Sequence, residues 1–349
     1  MPTQPPDFHF LATGIGSVPF TDIDDTCRQI IDLFPLSPFW PQFVKRSLLE
    51  DMSIQFSEGL PLIEIDENAR SLTISHTRER EAALADFYER FLSQDTDHFK
   101  MTPRFAAGLF ALIAHVKESG KVIGPYIKGH IVGPVTFTAG IRGLDGKPIL
   151  HDTELSEAMA NGLAIKALWQ AETLGASGLQ PIIFFDEPYL SGFGSAFSPV
   201  GRSEVVDLLR IPMDYVRMHS NALIGIHCCG NTDWSMILEA GPDIVNFDAF
   251  DFMDHFLLYP DDIKAFVTKG GSIAWGIAPT AGFRGDETVT QLCEILERGL
   301  DILEETGLPG RLLSERSILT PSCGMGTMSC ESAKSVMNLL ASTSSKLDT

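Results

Sequence analysis

The chain has 349 residues, 44% hydrophobic and 21% charged, which is the composition of a globular protein and excludes a disordered or collagen-like chain. Its 46 acidic against 26 basic residues leave a formal charge of −20, which repels phosphate backbones and anionic bilayers and argues against nucleic-acid or membrane partners. The opening stretch, residues 1–7, has neither the basic nor the apolar region of a signal peptide, and no apolar run nears the ~20 residues of a membrane span. A cytoplasmic protein is expected, and its six cysteines there argue against a disulfide framework.

Short apolar runs of strand length fall at 11–17, 124–132, 180–186, 222–227, 243–248, 272–277 and 317–323, with an eighth at either 52–57 or 60–65. Between them lie helical patterns at 79–92, 153–173, 203–219, 286–303 and 329–347. In the first, Leu84, Phe87, Tyr88, Phe91 and Leu92 share one face. Continuous apolar strands alternating with helices predict a parallel sheet covered on both sides. At this length the simplest closed solution is one α/β domain over 1–349, a (β/α)8 TIM barrel with its active site at the C-terminal strand ends. The rival doubly wound sheet would carry a Gly-rich phosphate turn after its first strand. Here that turn, Gly14-Ile15-Gly16-Ser17-Val18-Pro19, lacks a third glycine and runs into proline. The Pro- and aromatic-rich segment 34–43 would sit on the barrel rim, as a lid or as a packed loop.

The later strands end in residues that carry chemistry. At the end of the 222–227 run, His227 and Cys229 point the same way because strand side chains alternate, and Cys228 points oppositely. A His and a Cys so placed form half of a zinc site. Cys323 brings a third nitrogen-or-sulfur ligand to the same rim, and Asp248 a carboxylate between them. Packing in the core is the alternative for a buried His beside cysteines. Asp186 and Glu187, adjacent acids closing an apolar strand, need solvent, a partner or a ligand; a helix cap with a loop ion pair is the other reading.

In order, Ile15-Gly16-Ser17, Gly133-Pro134-Val135-Thr136, Asp186-Glu187-Pro188, His227-x-Cys229 and Pro321-x-Cys323-Gly324 resemble the catalytic barrel of cobalamin-independent methionine synthase. The 227–232 run is also similar to the zinc-dependent methylcobalamin:coenzyme M methyltransferases of the uroporphyrinogen-decarboxylase-like superfamily. The resemblance implies zinc held by His227, Cys229 and Cys323, with Asp248 where methionine synthases have Glu and Asp251 as the fallback. It implies that Ser17 and Asp186 hold the amino-acid end of homocysteine, with Glu187 beside them and Glu58 as a further substrate contact. The implied reaction is methyl transfer to a small-molecule thiol, homocysteine ahead of coenzyme M, whose sulfonate suits acidic contacts poorly. A methylcorrinoid donor, free or on a carrier protein, is expected over methyltetrahydrofolate. The grounds are that no folate-binding half precedes residue 15 and that the chain's charge opposes a polyanionic folate tail. A non-catalytic zinc- or corrinoid-docking protein, and a porphyrinogen decarboxylase with the same barrel, are the rivals.

Overall fold

The computed structural model describes residues 6–193 and 200–348, so residues 1–5 of the opening stretch lie outside the described residues. In chain order the strands are β1 (Leu11–Ala12), β2 (Ile63–Asp66), β3 (Ser71–Ile74), β4 (Tyr126–Val132) and β5 (Gln180–Asp186). β6 (Leu223–Cys228), β7 (Ile244–Phe247), β8 (Ser272–Ala278) and β9 (Ser317–Pro321) follow. Seven of them form one parallel sheet in the order β1-β9-β8-β7-β6-β5-β4, with helices between successive strands. It is an α/β fold whose sheet curls on itself.

The eighth expected strand is absent from that sheet at both of its expected places. Residues Ile54–Phe56 make one short helical turn. The 60–65 run feeds β2, which pairs antiparallel with β3 in a separate hairpin. The reason is chemical: Glu64 and Asp66 alternate with the isoleucines of β2, and a charged face suits a half-exposed hairpin rather than a doubly covered strand. Instead, the Pro-rich segment lies between the sheet edges. Gln42 N donates to Gly16 O (3.0 Å) and Val18 N to Gln42 O (2.9 Å) on one side. On the other side Trp40 N donates to Lys128 O (3.1 Å) and Lys128 N to Pro38 O (2.8 Å). Pro35, Pro38 and Pro41 have no N–H to give, so the pairing stays a set of isolated bridges rather than a ladder. Phe39, Trp40 and Phe43 are fully buried. The segment is packed structure and not a lid over the rim.

Helix ends follow the local chemistry. The Asp152 side chain accepts from Leu155 N to start the helix Thr153–Gly175. Thr288 and Gln291 form a capping box at the head of Val289–Glu305, so this helix starts later than the pattern from 286 predicts. Ser329 caps Cys330–Leu347. No helix among the described residues is long and apolar enough to cross a membrane.

Two cores result. Phe8, Leu11, Tyr126, Ile182, Phe184, Ile244, Ala274 and Ile318 fill the inner face of the sheet. A larger cluster packs the helices on its outer face. The facing of β4 is set by Gly129: a Cβ there would strike Gln170 and Leu174 of the helix Thr153–Gly175, so 129 points outward and Lys128 and His130 point inward. The inner face therefore runs from apolar residues to a group of buried polar ones: Lys128, His130, Asp186, His227, Asn246 and Thr320.

Candidate metal centre

His227 lies near the end of β6, Cys229 just beyond it, and Cys323 two residues past β9. Strands β6 and β9, with β7 and β8 between them in the sheet, thus deliver three soft or borderline donors to one place, where their ligand atoms all lie within 4.8 Å of one another. Cys228 points the other way and is fully buried; burial pushes its thiol up to about 12, leaving it a protonated packing residue. All six cysteines are free of disulfides.

The imidazole is held from behind. Asn246 on β7 donates from Nδ2 to Ala274 O and to Thr320 Oγ1, both 2.8 Å, which turns its Oδ1 toward His227 Nδ1 at 2.5 Å. An oxygen facing Nδ1 requires the proton to be there, and that leaves Nε2 with a lone pair for a metal. A hydrogen bond from Cys323 draws the Cys229 thiol down to about 4; burial opposes this and His227 assists it. Burial alone would lower His227, but Cys229, Asp186 and Asn246 together lift it. One thiolate beside two further donors is a cation-binding set, and a nitrogen with two sulfurs fits zinc.

The acids divide into different roles. Asp186 is 8% exposed and its Oδ1 has no hydrogen-bond partner among the described residues. Burial lifts it to about 6, although His227 and Lys128 pull the other way. An unpaired buried carboxylate oxygen is costly without a cationic or N–H guest. Lys128, fully buried, donates to Ile15 O (2.6 Å) and lies 4.2 Å above the Phe184 ring; burial lowers it to about 8. It thereby pins the turn that carries Ser17. Ser17 Oγ accepts from Gly326 N at 3.3 Å, and Gly324 admits the close approach, since a Cβ there would sit 2.2 Å from that oxygen. Ser17 is thus brought against the loop that follows Cys323.

Glu187, Asp248 and Glu58 are otherwise engaged. Glu187 is fully buried, and its carboxylate accepts from Val135 N (2.9 Å), Thr136 N (2.7 Å) and Thr136 Oγ1 (2.6 Å). It caps the start of the helix Pro134–Gly140, which is the helix-cap alternative of the adjacent acids. Asp248 caps Ala249–Phe256 by accepting from Asp251 N at 2.9 Å, and neither acid joins the three converging donors. Burial raises Asp248 to about 6. Glu58 accepts from Thr102 N (2.8 Å) and Thr102 Oγ1 (3.0 Å). It lines a separate cavity of about 630 Å³ with Arg78, His98 and Phe105, away from the three donors.

Sequence reasoning missed Asn246, Lys128 and His130. The signal was present: each is a polar residue on the inward phase of an apolar strand, where only a buried partner or a guest makes it affordable.

No protein-family model matches the chain. A curated relative, a methionine synthase of Methanocaldococcus jannaschii, is 26% identical over 216 residues, 61% of this chain. The chain spans 63% of that relative's length. Among solved structures, a B12-independent methionine synthase from Shewanella sp. W3-18-1 in complex with selenomethionine matches with a TM-score of 0.56 at 14% identity, covering 97% of both chains. The second likeness speaks for the fold. The first is a sequence likeness to a methionine synthase.

Proposed function

We propose that this chain is a zinc-dependent methyltransferase whose methyl acceptor is the thiol of homocysteine. The observation that carries the reading is the convergence of His227, Cys229 and Cys323 beside a buried carboxylate, Asp186, whose Oδ1 has no partner among the described residues. Three protein ligands leave a coordination place open, as in catalytic zinc sites. Asp248, whose Oδ1 takes the Asp251 N–H, would supply a fourth through its other oxygen. When bound, zinc would keep the substrate sulfur as thiolate at neutral pH, where a free thiol of pKa ~8.5 is mostly protonated.

The chain's own residues do the rest. Asn246 fixes the tautomer and direction of His227. Asp186 accepts the ammonium of the amino acid, which offsets the cost of its burial. Ser17, beside the Cys323 loop, offers a hydroxyl to the same ligand. Lys128 holds the Ile15–Ser17 turn by its carbonyl. In the transfer a sulfur–carbon bond forms as the donor's bond to the methyl group breaks; no protein nucleophile takes part. Coenzyme M has no ammonium for Asp186 and is the weaker acceptor. A methylcorrinoid, free or on a carrier protein, is the proposed donor, on the chain's net charge of −20 against a polyanionic folate tail.

The same reading treats 1–349 as one (β/α)8-type unit, with residues 36–42 in the remaining strand position. Their backbone bonds to both Gly16 and Lys128 support it. The experiment is a methionine-formation assay of zinc-loaded protein with homocysteine or coenzyme M, against methylcobalamin or methyltetrahydrofolate. Methionine from homocysteine is expected, faster with methylcobalamin. Turnover with the folate and none with methylcobalamin overturns the donor assignment. Stoichiometric zinc with no methylated thiol from either donor overturns the function and leaves the docking-protein reading.

A further inference from the structure

His130 is 2% exposed, and neither of its ring nitrogens has a hydrogen-bond partner among the described residues. Its surroundings are tight: the ring stacks on Trp40 at 4.0 Å between centroids, and Phe56 meets it edge-on. Its Nδ1 would lie 2.6 Å from a Cβ at position 16, so the glycine before Ser17 exists to let the ring approach the turn. Leaving both nitrogens of a buried imidazole without partners costs free energy that packing alone does not require, since an apolar side chain would fill the same place. Burial, with Lys128 adding to it, holds the ring neutral, so it offers one N–H donor.

The polar groups on this inner face are arranged by sign. On β4, Lys128 and His130 stand two residues apart and both touch the Ile15–Ser17 turn. On the adjacent β5, Asp186 ends the strand with an oxygen unpaired among the described residues, next to His227 in register. A cationic and N–H side thus faces an anionic side across neighbouring strands. That pattern matches a zwitterion, whose negative group goes to β4 and whose positive group goes to β5.

We infer that His130 is a specificity-determining contact, its ring N–H donating to the carboxylate of an α-amino-acid thiol while Asp186 takes the ammonium. The inference rests on the thiol-binding reading above and deepens it: His130 selects amino acids over simple aminothiols. A site built to donate to a group rejects the analogue that lacks it, because the buried donor is then left unpaired.

The test is calorimetric titration of zinc-loaded protein with homocysteine and with 3-aminopropanethiol, which is homocysteine without its carboxylate. Wild type binds homocysteine the more tightly. His130→Met, an apolar residue of similar reach, weakens homocysteine by about tenfold or more and leaves the aminothiol within about twofold, at unchanged zinc content. His130→Gln, which keeps an N–H, retains most of the preference. In the wild-type protein, the 15N resonances of the His130 imidazole move on adding homocysteine and not on adding the aminothiol, a readout that needs no variant to fold. Equal loss for both thiols, no loss for either, or an unmoved imidazole overturns the inference while the thiol-binding reading stands. Zinc-loaded wild type that binds neither thiol overturns both.

Discussion

Replacing Asn246 with leucine isolates the support behind the candidate metal centre. Asn246 is fully buried and makes three hydrogen bonds, to His227 Nδ1 at 2.5 Å and to Ala274 O and Thr320 Oγ1 at 2.8 Å each. Leucine has a similar volume, so little cavity forms, and the loss is polar. It leaves the His227 N–H and the Ala274 carbonyl without those partners, at roughly 1–3 kcal/mol for each buried group. Stability of the metal-free protein should fall by about 3 kcal/mol, read from the urea midpoint at constant m. Without a fixed tautomer, zinc affinity should fall by about 10- to 100-fold, read by competition with a chromophoric chelator. Asn246→Asp separates the two effects. It keeps an acceptor for the His227 N–H and loses the donor to Ala274 O and Thr320, so stability drops while zinc affinity stays within about threefold of wild type. Zinc affinity within about twofold of wild type in a folded Asn246→Leu protein would refute the role given to Asn246.

Further outcomes follow from the same geometry. Glu187→Ala leaves the Val135 and Thr136 N–H groups unmet at a helix start; thermal unfolding should show a loss of about 3 kcal/mol at unchanged zinc content. Metal-free protein treated with iodoacetamide at about pH 6 should be modified at Cys229 ahead of Cys27 and Cys228, because Cys229 is drawn down to about 4 while burial holds the other two near 12; peptide mapping reads the order, and bound zinc should abolish the Cys229 adduct. Lys166 is fully buried, donates to Phe99 O, and is lowered by burial to about 7. Between that value and the unfolded one near 10.5 the unfolded chain binds more protons, so wild-type stability rises with pH across this window. Lys166→Met should therefore stabilise by an amount on the order of 3 kcal/mol below the window and progressively less toward its top, as denaturation at several pH values would show.

The strands that position the site were legible because parallel strands covered on both faces read as unbroken apolar runs. Gln180–Asp186 carries the bounds expected of it, and the ends of β6, β7 and β9 fall within two residues of expectation. His227, Cys229 and Cys323 were legible too, since alternation along a strand says which side chains share a face. The segment between the two sheet edges was not. Segment 36–42 looks like a loop, because its prolines forbid a ladder, yet its aromatic residues are buried in the gap between two sheet edges. Acids were the least legible class. Asp186, Glu187 and Asp248 all sit at strand ends, and only three-dimensional hydrogen bonding separates Asp186, whose Oδ1 has no partner among the described residues, from two helix caps. Glu58 meets Thr102 and Lys166, both far away in sequence, so no local motif shows its partners. The inward polar residues Lys128, His130 and Asn246 show the opposite case, visible as breaks in apolar strands but without a spacing that names their chemistry.

X-ray absorption at the zinc edge, on protein loaded with one zinc and compared with and without homocysteine, tests the central claim most directly. The account predicts a first shell with two sulfur scatterers at about 2.3 Å and one imidazole in the free protein, gaining one further sulfur when homocysteine is added. A shell without sulfur, or one that homocysteine leaves unchanged under conditions where the thiol is bound, would contradict it.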